Sequence, residues 1–423
     1  MDSFLVNNLW VLLSALLVFT MTLSVGLLEV GELGEGFARS LLKAFIIACS
    51  GLFFMAVVGF NTAFAPTVLW GLIGNPLYAP GLVLGGFSSG ALGLLGGTWW
   101  SVSSVGLSEG TYFLFEAAFA SVTLALVGVI VLRKMRLTAF TIYSAVYFIL
   151  IWALPAAWIW NPSGWLYSMG FRDFAGGLVV HAAAGAAGLG ILLQIWREER
   201  RKKYRESPQT RVSVSPAWLA VAMLLLWAGW FGFNGGSVLQ FNGSAMTVVV
   251  VTFLAAATSA CSALLFRYID DEGKPDLLSA SNGVLMGLIV ITPLAGFVSP
   301  VSAMIIGVLA GGVFVFANRA LSRARWFSDP VGLLPGHMVG GIFGVLMIAF
   351  FTQASFAAAS GSPGLPNGIL FGGGMQALSQ LGIEAFGIAA VVATVFVLSF
   401  ATCAAISAAL GGITRDYKEK KGF

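Results

Sequence analysis

Charge is scarce in this chain: 9% of its 423 residues are Asp, Glu, Lys or Arg, where a soluble domain carries roughly 25%. Set against 58% hydrophobic residues, the shortfall excludes a soluble globular protein. No single core absorbs that much apolar surface, so the solvent must be lipid. Cysteine is rare as well. Cys49, Cys261 and Cys403 all lie in apolar segments, which excludes a disulfide framework and reads as small buried hydrophobes. Metal-ligand clusters, nucleophile–base motifs and phosphate-binding loops are missing from the sequence, so neither an enzyme nor a cofactor is implied. Histidine is the rarest ionisable residue, with 2 in the whole chain.

What is abundant is glycine, at 53 residues, and small residues let membrane helices approach closely. A spanning helix needs roughly 20 mostly apolar residues. Segments of that kind lie near 9–30, 42–63, 111–132, 138–160, 174–195, 216–236, 245–267, 278–298, 301–321, 333–353 and 383–411. The chain therefore divides into a transmembrane bundle over 1–411 and a short cytoplasmic tail over 412–423. Region 64–107 is Gly-rich and free of Lys and Arg; it reads as a long external loop with a re-entrant or interfacial piece. Counted along this topology, all but Arg172 of the 22 basic residues fall on one side. The positive-inside bias puts the N-terminus outside and the C-terminus in the cytoplasm of a multi-pass cell-membrane protein. An odd number of spans demands the same arrangement. The pI near 9.0 is thus a property of cytoplasmic loops, and nucleic acid is not an expected partner.

The two histidines, His181 and His337, both fall inside spans. Each follows an aspartate by eight residues: Asp173 in DFAGGLVVH, Asp329 in DPVGLLPGH. Five spans separate the two copies, and an odd offset inverts one relative to the other, as in inverted-repeat transporters. Eight helical residues rise about 12 Å in a hydrocarbon core about 30 Å thick, so two histidines entering from opposite faces can meet near the midplane. Pro335 and Gly336 loosen this estimate at the start of span ten. Each aspartate also fits a helix N-cap. An intramembrane histidine can simply be hydrogen-bonded to a neighbouring helix, but ionisable groups at that depth are costly and usually functional.

DFAGGLVVH, with WFGFNGGS at 230–237 and GKPDLLSASNGVLMGLIVITP at 273–293, resembles the ammonium transporter, methylammonium permease and Rhesus family, in its ammonium transporter branch. The resemblance runs over nearly all the chain. It implies an all-α membrane protein of eleven transmembrane helices, built as two inverted five-helix repeats plus a C-terminal helix and assembled as a homotrimer with one pore per subunit. It implies ammonium/ammonia or methylammonium as substrate. By the same resemblance His181 and His337 line the pore and Phe119 and Phe233 form a stacked aromatic gate. Trp160 and Ser237 form an outer recruitment site with Phe115 beside the gate, Ala175 helps line it, and Asp173 lies near it. Asp329 is a polar residue towards the cytoplasmic end. Ordinary packing remains the alternative for Phe119 and Phe233, since there are 34 Phe, and an interfacial belt is the default for Trp158 and Trp165. Because Asn keeps a cap, Asp173→Asn is expected to be milder than Asp173→Ala.

Departures from the family pattern are Glu116, where Gln is usual and where a carboxylate must be protonated or paired, Pro335 and Met338 beside His337, and Glu29 in place of a frequent Tyr. The tail RDYKEKKGF is shorter than the extension that binds a PII-type regulator in relatives, which puts that partner in doubt. Some members are sensors with a fused or partner signalling domain, so ammonium sensing through the C-terminal helix stands as the alternative to transport. A generic proton-coupled carrier using the same histidines is a third possibility.

Overall fold

A computed structural model describes residues 3–78, 106–131, 133–201, 214–269, 277–323, 329 and 332–415. Among them, eleven helices are long and apolar enough to cross a membrane: α1 Ser3–Leu33, α2 Phe37–Phe64, α3 Glu109–Val131, α4 Leu137–Ile159, α5 Gly177–Arg201, α6 Pro216–Gly236, α7 Gly243–Ile269, α8 Leu277–Leu294, α9 Pro300–Leu321, α10 Leu334–Phe351 and α11 Gly374–Leu410. The protein is an all-α membrane protein with the expected number of spans. Its packing has the inverted symmetry that the two Asp–His pairs suggested. Contacts of α2 with α4 are matched by those of α7 with α9, while α1 runs along α6 and α5 meets α10 at the centre. Small residues permit these approaches: a Cβ at Gly341 of α10 would collide with the carbonyl oxygen of Gly177 of α5, and one at Gly185 of α5 with the Cβ of Met338. Met338, a departure by sequence, therefore fills the space that Gly185 leaves.

Several boundaries move. Helix α2 starts at Phe37, so Arg39 and Lys43 belong to its first turns. Lys43 is buried, and its ammonium lies 3.0 Å from Glu29 Oε2, which also accepts from Ser40 at 3.2 Å. Helix α11 begins at Gly374, nine residues before the hydrophobic run, because Gln380 donates to Gly170 O at 3.0 Å and to Glu384 at 2.6 Å. Cys49 and Cys261 are exposed on the outer surface of the bundle, and only Cys403 is buried, which corrects the reading of all three as buried. Of region 64–107, residues 79–105 lie outside the described residues; Thr67–Val68 and Ile73–Gly74 pair as a small antiparallel hairpin. Trp158 is buried beneath it and donates to Leu72 O at 2.7 Å, so it packs and does not belong to an interfacial belt.

The first residues of the expected tail are bound to the bundle. Glu198, near the end of α5, accepts from Ile413 N and from Thr414 N and Oγ1, each at 3.0 Å, and from the Ser407 hydroxyl of α11. Arg136 N donates to Ile413 O at 2.9 Å. Residues 416–423 lie outside the described residues.

Candidate functional site

The site is built by two helix starts that face each other. Ahead of α5, Asp173 aims both carboxylate oxygens at the helix N-terminus. Oδ1 accepts from Gly176 N at 3.0 Å and Gly177 N at 2.7 Å, and Oδ2 from Leu178 N at 2.7 Å and Val179 N at 3.0 Å. Burial pushes this carboxyl above the ordinary carboxylate range, while the four N–H groups pull it down. Ahead of α10, Asp329 likewise accepts from Leu333 N at 3.0 Å and from Leu334 N at 2.7 Å. Gly176 has a φ of +113°, a region that L side chains rarely enter; it turns the chain from the cap into the helix.

Each helix then opens with a wide π-type turn, over Gly177–Ala182 and over Leu334–Val339. In the first, His181 N donates to Gly176 O, five residues back, at 3.0 Å. Pro335 belongs to the second turn without unwinding it. Wide turns of this kind are frequent at functional sites, because the inserted residue re-aims side chains. Here each turn carries one histidine, and the two meet: His181 Nδ1 lies 3.1 Å from His337 Nδ1, with ring centroids 5.1 Å apart. Both rings are buried.

Aromatic rings of α3 and α6 close the pair off. Phe233 stacks on His181 at 5.5 Å and 10°, and Trp230 stacks on the same ring at 5.8 Å and 20°. Trp230 was not singled out by sequence; one Trp among 13 carries no signal of its own. Phe119 meets Phe233 at 4.4 Å and Phe115 at 4.8 Å, and Trp160 presents to Phe119 at 5.8 Å and 86°. The Trp160 ring is held by an Nε1–H bond of 2.8 Å to Asp173 O. Ser237 Oγ donates to Phe233 O at 2.7 Å, leaving its lone pairs as acceptors. Ala175 is buried next to Gly176. The structure thus brings Trp160, Phe115, Phe119, Ser237, Phe233, His181 and His337 into one connected column.

Two small cavities border the histidine pair. One, of about 20 Å³, is lined by His181, His337 and apolar side chains such as Val25, Leu126 and Leu285; the other, of about 30 Å³, extends from His337 to Glu32 and Asn282. A single water-sized molecule needs roughly 10–15 Å³, so each admits a dehydrated small molecule and neither holds a hydrated ion. Glu116 lies outside these linings; it is buried beside Tyr112, and its Oε2 has no hydrogen-bond partner among the described residues. The charge pair Arg172–Asp173 is no ion pair either: the Arg172 guanidinium donates to Tyr167 O and Phe171 O, at 3.2 and 2.8 Å.

The sequence matches the Ammonium Transporter Family over residues 9–423. The chain belongs to this family. It is 30% identical over 379 residues to an ammonium transporter of Bacillus subtilis (strain 168), a match covering 87% of each chain. It superposes on the crystal structure of Saccharomyces cerevisiae Mep2 with a TM-score of 0.83 and 27% identity, over 99% of this chain and 89% of that one. It also superposes on a Sensor Amt Protein with a TM-score of 0.82 and 26% identity, over 99% and 97% of the two chains. Of the two carboxylates that depart from the family pattern, Glu29 has its partners within the bundle, Ser40 and Lys43.

Proposed function

We propose that the protein transports ammonium across the membrane by separating it into ammonia and a proton inside this pore. The observation that carries the reading is the 3.1 Å Nδ1–Nδ1 contact between buried His181 and His337, placed directly beneath the Phe119–Phe233 stack. An ammonium ion is a small cation with four N–H donors. At the outer mouth the faces of Trp160, Phe115 and Phe119 attract it by roughly 0.5–2 kcal/mol, and Ser237 Oγ accepts one of its hydrogen bonds. Past the gate the lining is apolar. The effective penalty for a bare ion there is several kcal/mol, more than the aromatic faces return, whereas neutral ammonia enters at little cost.

The histidines can take the proton. An Nδ1–Nδ1 hydrogen bond needs one donor and one acceptor, so the neutral pair holds opposite tautomers, one with a basic Nε2 and the other with a protonated Nε2. The Nε2 of His181 has no partner among the described residues. A proton accepted at one Nε2 and passed through the shared Nδ1 contact is released at the other, and ammonia follows along the cavities. The same reading sets the basic face, with Arg133, Lys134, Arg136 and the α5 end, in the cytoplasm, puts the N-terminus outside, and takes the assembly to be a homotrimer in the cell membrane.

Solid-supported-membrane currents in proteoliposomes test this. Ammonium pulses evoke current in the wild type, and His181→Asp and His337→Asp, which place a fixed negative charge in the pore, pass potassium. Folded variants with wild-type currents and selectivity remove the histidines from the mechanism. Ammonium sensing is the second reading, supported by the likeness to a Sensor Amt Protein and by the Glu198 bonds that tie residues 413 and 414 to α5. Folded wild type that binds ammonium and gives no current selects it.

A further inference from the structure

Three acidic residues follow one another along the end of α1 and the turn after it, and two of them have taken the cations. Glu29 holds Lys43 at 3.0 Å, and Glu35 holds Arg39 at 3.4 Å. Glu32 lies between them. Its side chain is 5% exposed, and neither of its carboxylate oxygens has a hydrogen-bond partner among the described residues. It sits in the last turn of α1, the negative end of a helix dipole, where a carboxylate is disfavoured. The charged group that acts on it is another carboxylate, Asp329, whose oxygens cap α10. Burial, helix position and neighbouring charge all count against Glu32, and no contact among the described residues compensates for it.

Its position does have a use. Glu32 lines the cavity of about 30 Å³ that runs on from His337, together with Asn282 and Gly336. That cavity shares Leu28, Leu126, Leu285 and His337 with the one beneath the gate. A molecule passing the histidine pair towards the basic face therefore reaches a pair of unpartnered carboxylate oxygens and an amide that can accept N–H donors.

We propose that Glu32 is an inner binding site for the ammonium cation, on the basic-face side of the histidines. The identity of the ligand rests on the transport reading given above. Among the described residues this carboxylate has no cationic partner, and a small cation with four N–H donors supplies both charge and hydrogen bonds in a volume that fits it. The outer site holds the cation by aromatic faces; the inner one holds it by a carboxylate.

The test pairs a spectroscopic with a sided transport measurement, on wild type, Glu32→Gln and Glu32→Met. Gln keeps the shape and removes the charge. Met removes a buried unsatisfied group and is expected to fold at least as well as wild type, which covers any failure of the Gln variant to fold. Infrared difference spectra in lipid, ammonium chloride against sodium chloride at fixed pH, should show carboxylate bands in the wild type that both variants lack. In inside-out membrane vesicles the half-saturating ammonium concentration should rise by about tenfold or more in the variants, while in right-side-out vesicles it should stay as in the wild type. Bands that persist in Glu32→Gln overturn the proposal. So does a more stable Glu32→Met with unchanged half-saturation on both sides. Wild type without current in either vesicle type, but with ammonium bands lost in both variants, sinks the transport reading and leaves the binding site standing.

Discussion

Replacing Asp173 by Ala deletes the acceptor of four buried backbone N–H groups, those of Gly176, Gly177, Leu178 and Val179. A stranded buried donor costs roughly 1–3 kcal/mol, so with water regaining some of them a loss of about 4–6 kcal/mol is expected. Asp173→Asn looks milder from sequence, because Asn is a good N-cap. The geometry reverses that expectation. Both oxygens are used, two contacts each, and an Asn amide can match only one oxygen. Its NH2 group would point at two N–H donors, Leu178 and Val179 or Gly176 and Gly177, so the variant loses the charge, strands two donors and sets donor against donor. Asp173→Asn should fall within about 1 kcal/mol of Asp173→Ala. Thermal unfolding of the purified protein in detergent reads this out, and both variants should lose about 5 °C or more in Tm. Trp160 rides on the same turn through its bond to Asp173 O, so surviving folded protein should also bind ammonium more weakly. A Tm for Asp173→Asn equal to that of the wild type refutes the four-bond cap as a structural anchor.

Trp160→Leu removes the cation–π face while keeping bulk, and should weaken methylammonium competition by about 1 kcal/mol or more; unchanged affinity would assign Trp160 to packing alone. Ser207→Cys, in the basic run after α5, should react with an impermeant maleimide only from the cytoplasmic side. Labelling from outside would reverse the proposed topology, and with it the side on which Glu32 acts.

How much of this was legible in the sequence depended on whether a feature needed a partner. The spans were, because lipid demands long apolar runs, and so was the histidine pair, because the eight-residue offset from an aspartate recurs five spans later. The starts of α2 and α11 were not. Polar residues there, Lys43 and Gln380, read as the end of a hydrophobic run, yet each is satisfied by a residue far away in sequence or on another helix. The wide turns at Gly177–Ala182 and Leu334–Val339 leave no mark on periodicity. Glu32 stayed hidden for a related reason: among the described residues Glu29 and Glu35 are paired and Glu32 is not, and pairing is a property of the folded chain.

The aspartates and histidines then answer to one another. A helix that begins inside the mouth of a bundle leaves its first N–H groups without partners, and a carboxylate satisfies them best where the dipole is positive. Capping by Asp173 and Asp329 fixes where α5 and α10 start, and the wide turn that follows each cap fixes which way the next ionisable side chain points. Repeated with inverted direction, that unit makes the histidine contact a consequence of the caps. Asp173 takes four N–H groups of its helix, and Asp329 caps α10 at Leu333 and Leu334. The symmetry that brings the histidines together meets different surroundings at its two ends: the rings of Trp160, Phe119 and Phe115 on the Asp173 side, and on the Asp329 side the Glu32 carboxyl, whose oxygens have no hydrogen-bond partner among the described residues. On the transport reading proposed above, it is at these two ends that one side of the membrane is told from the other.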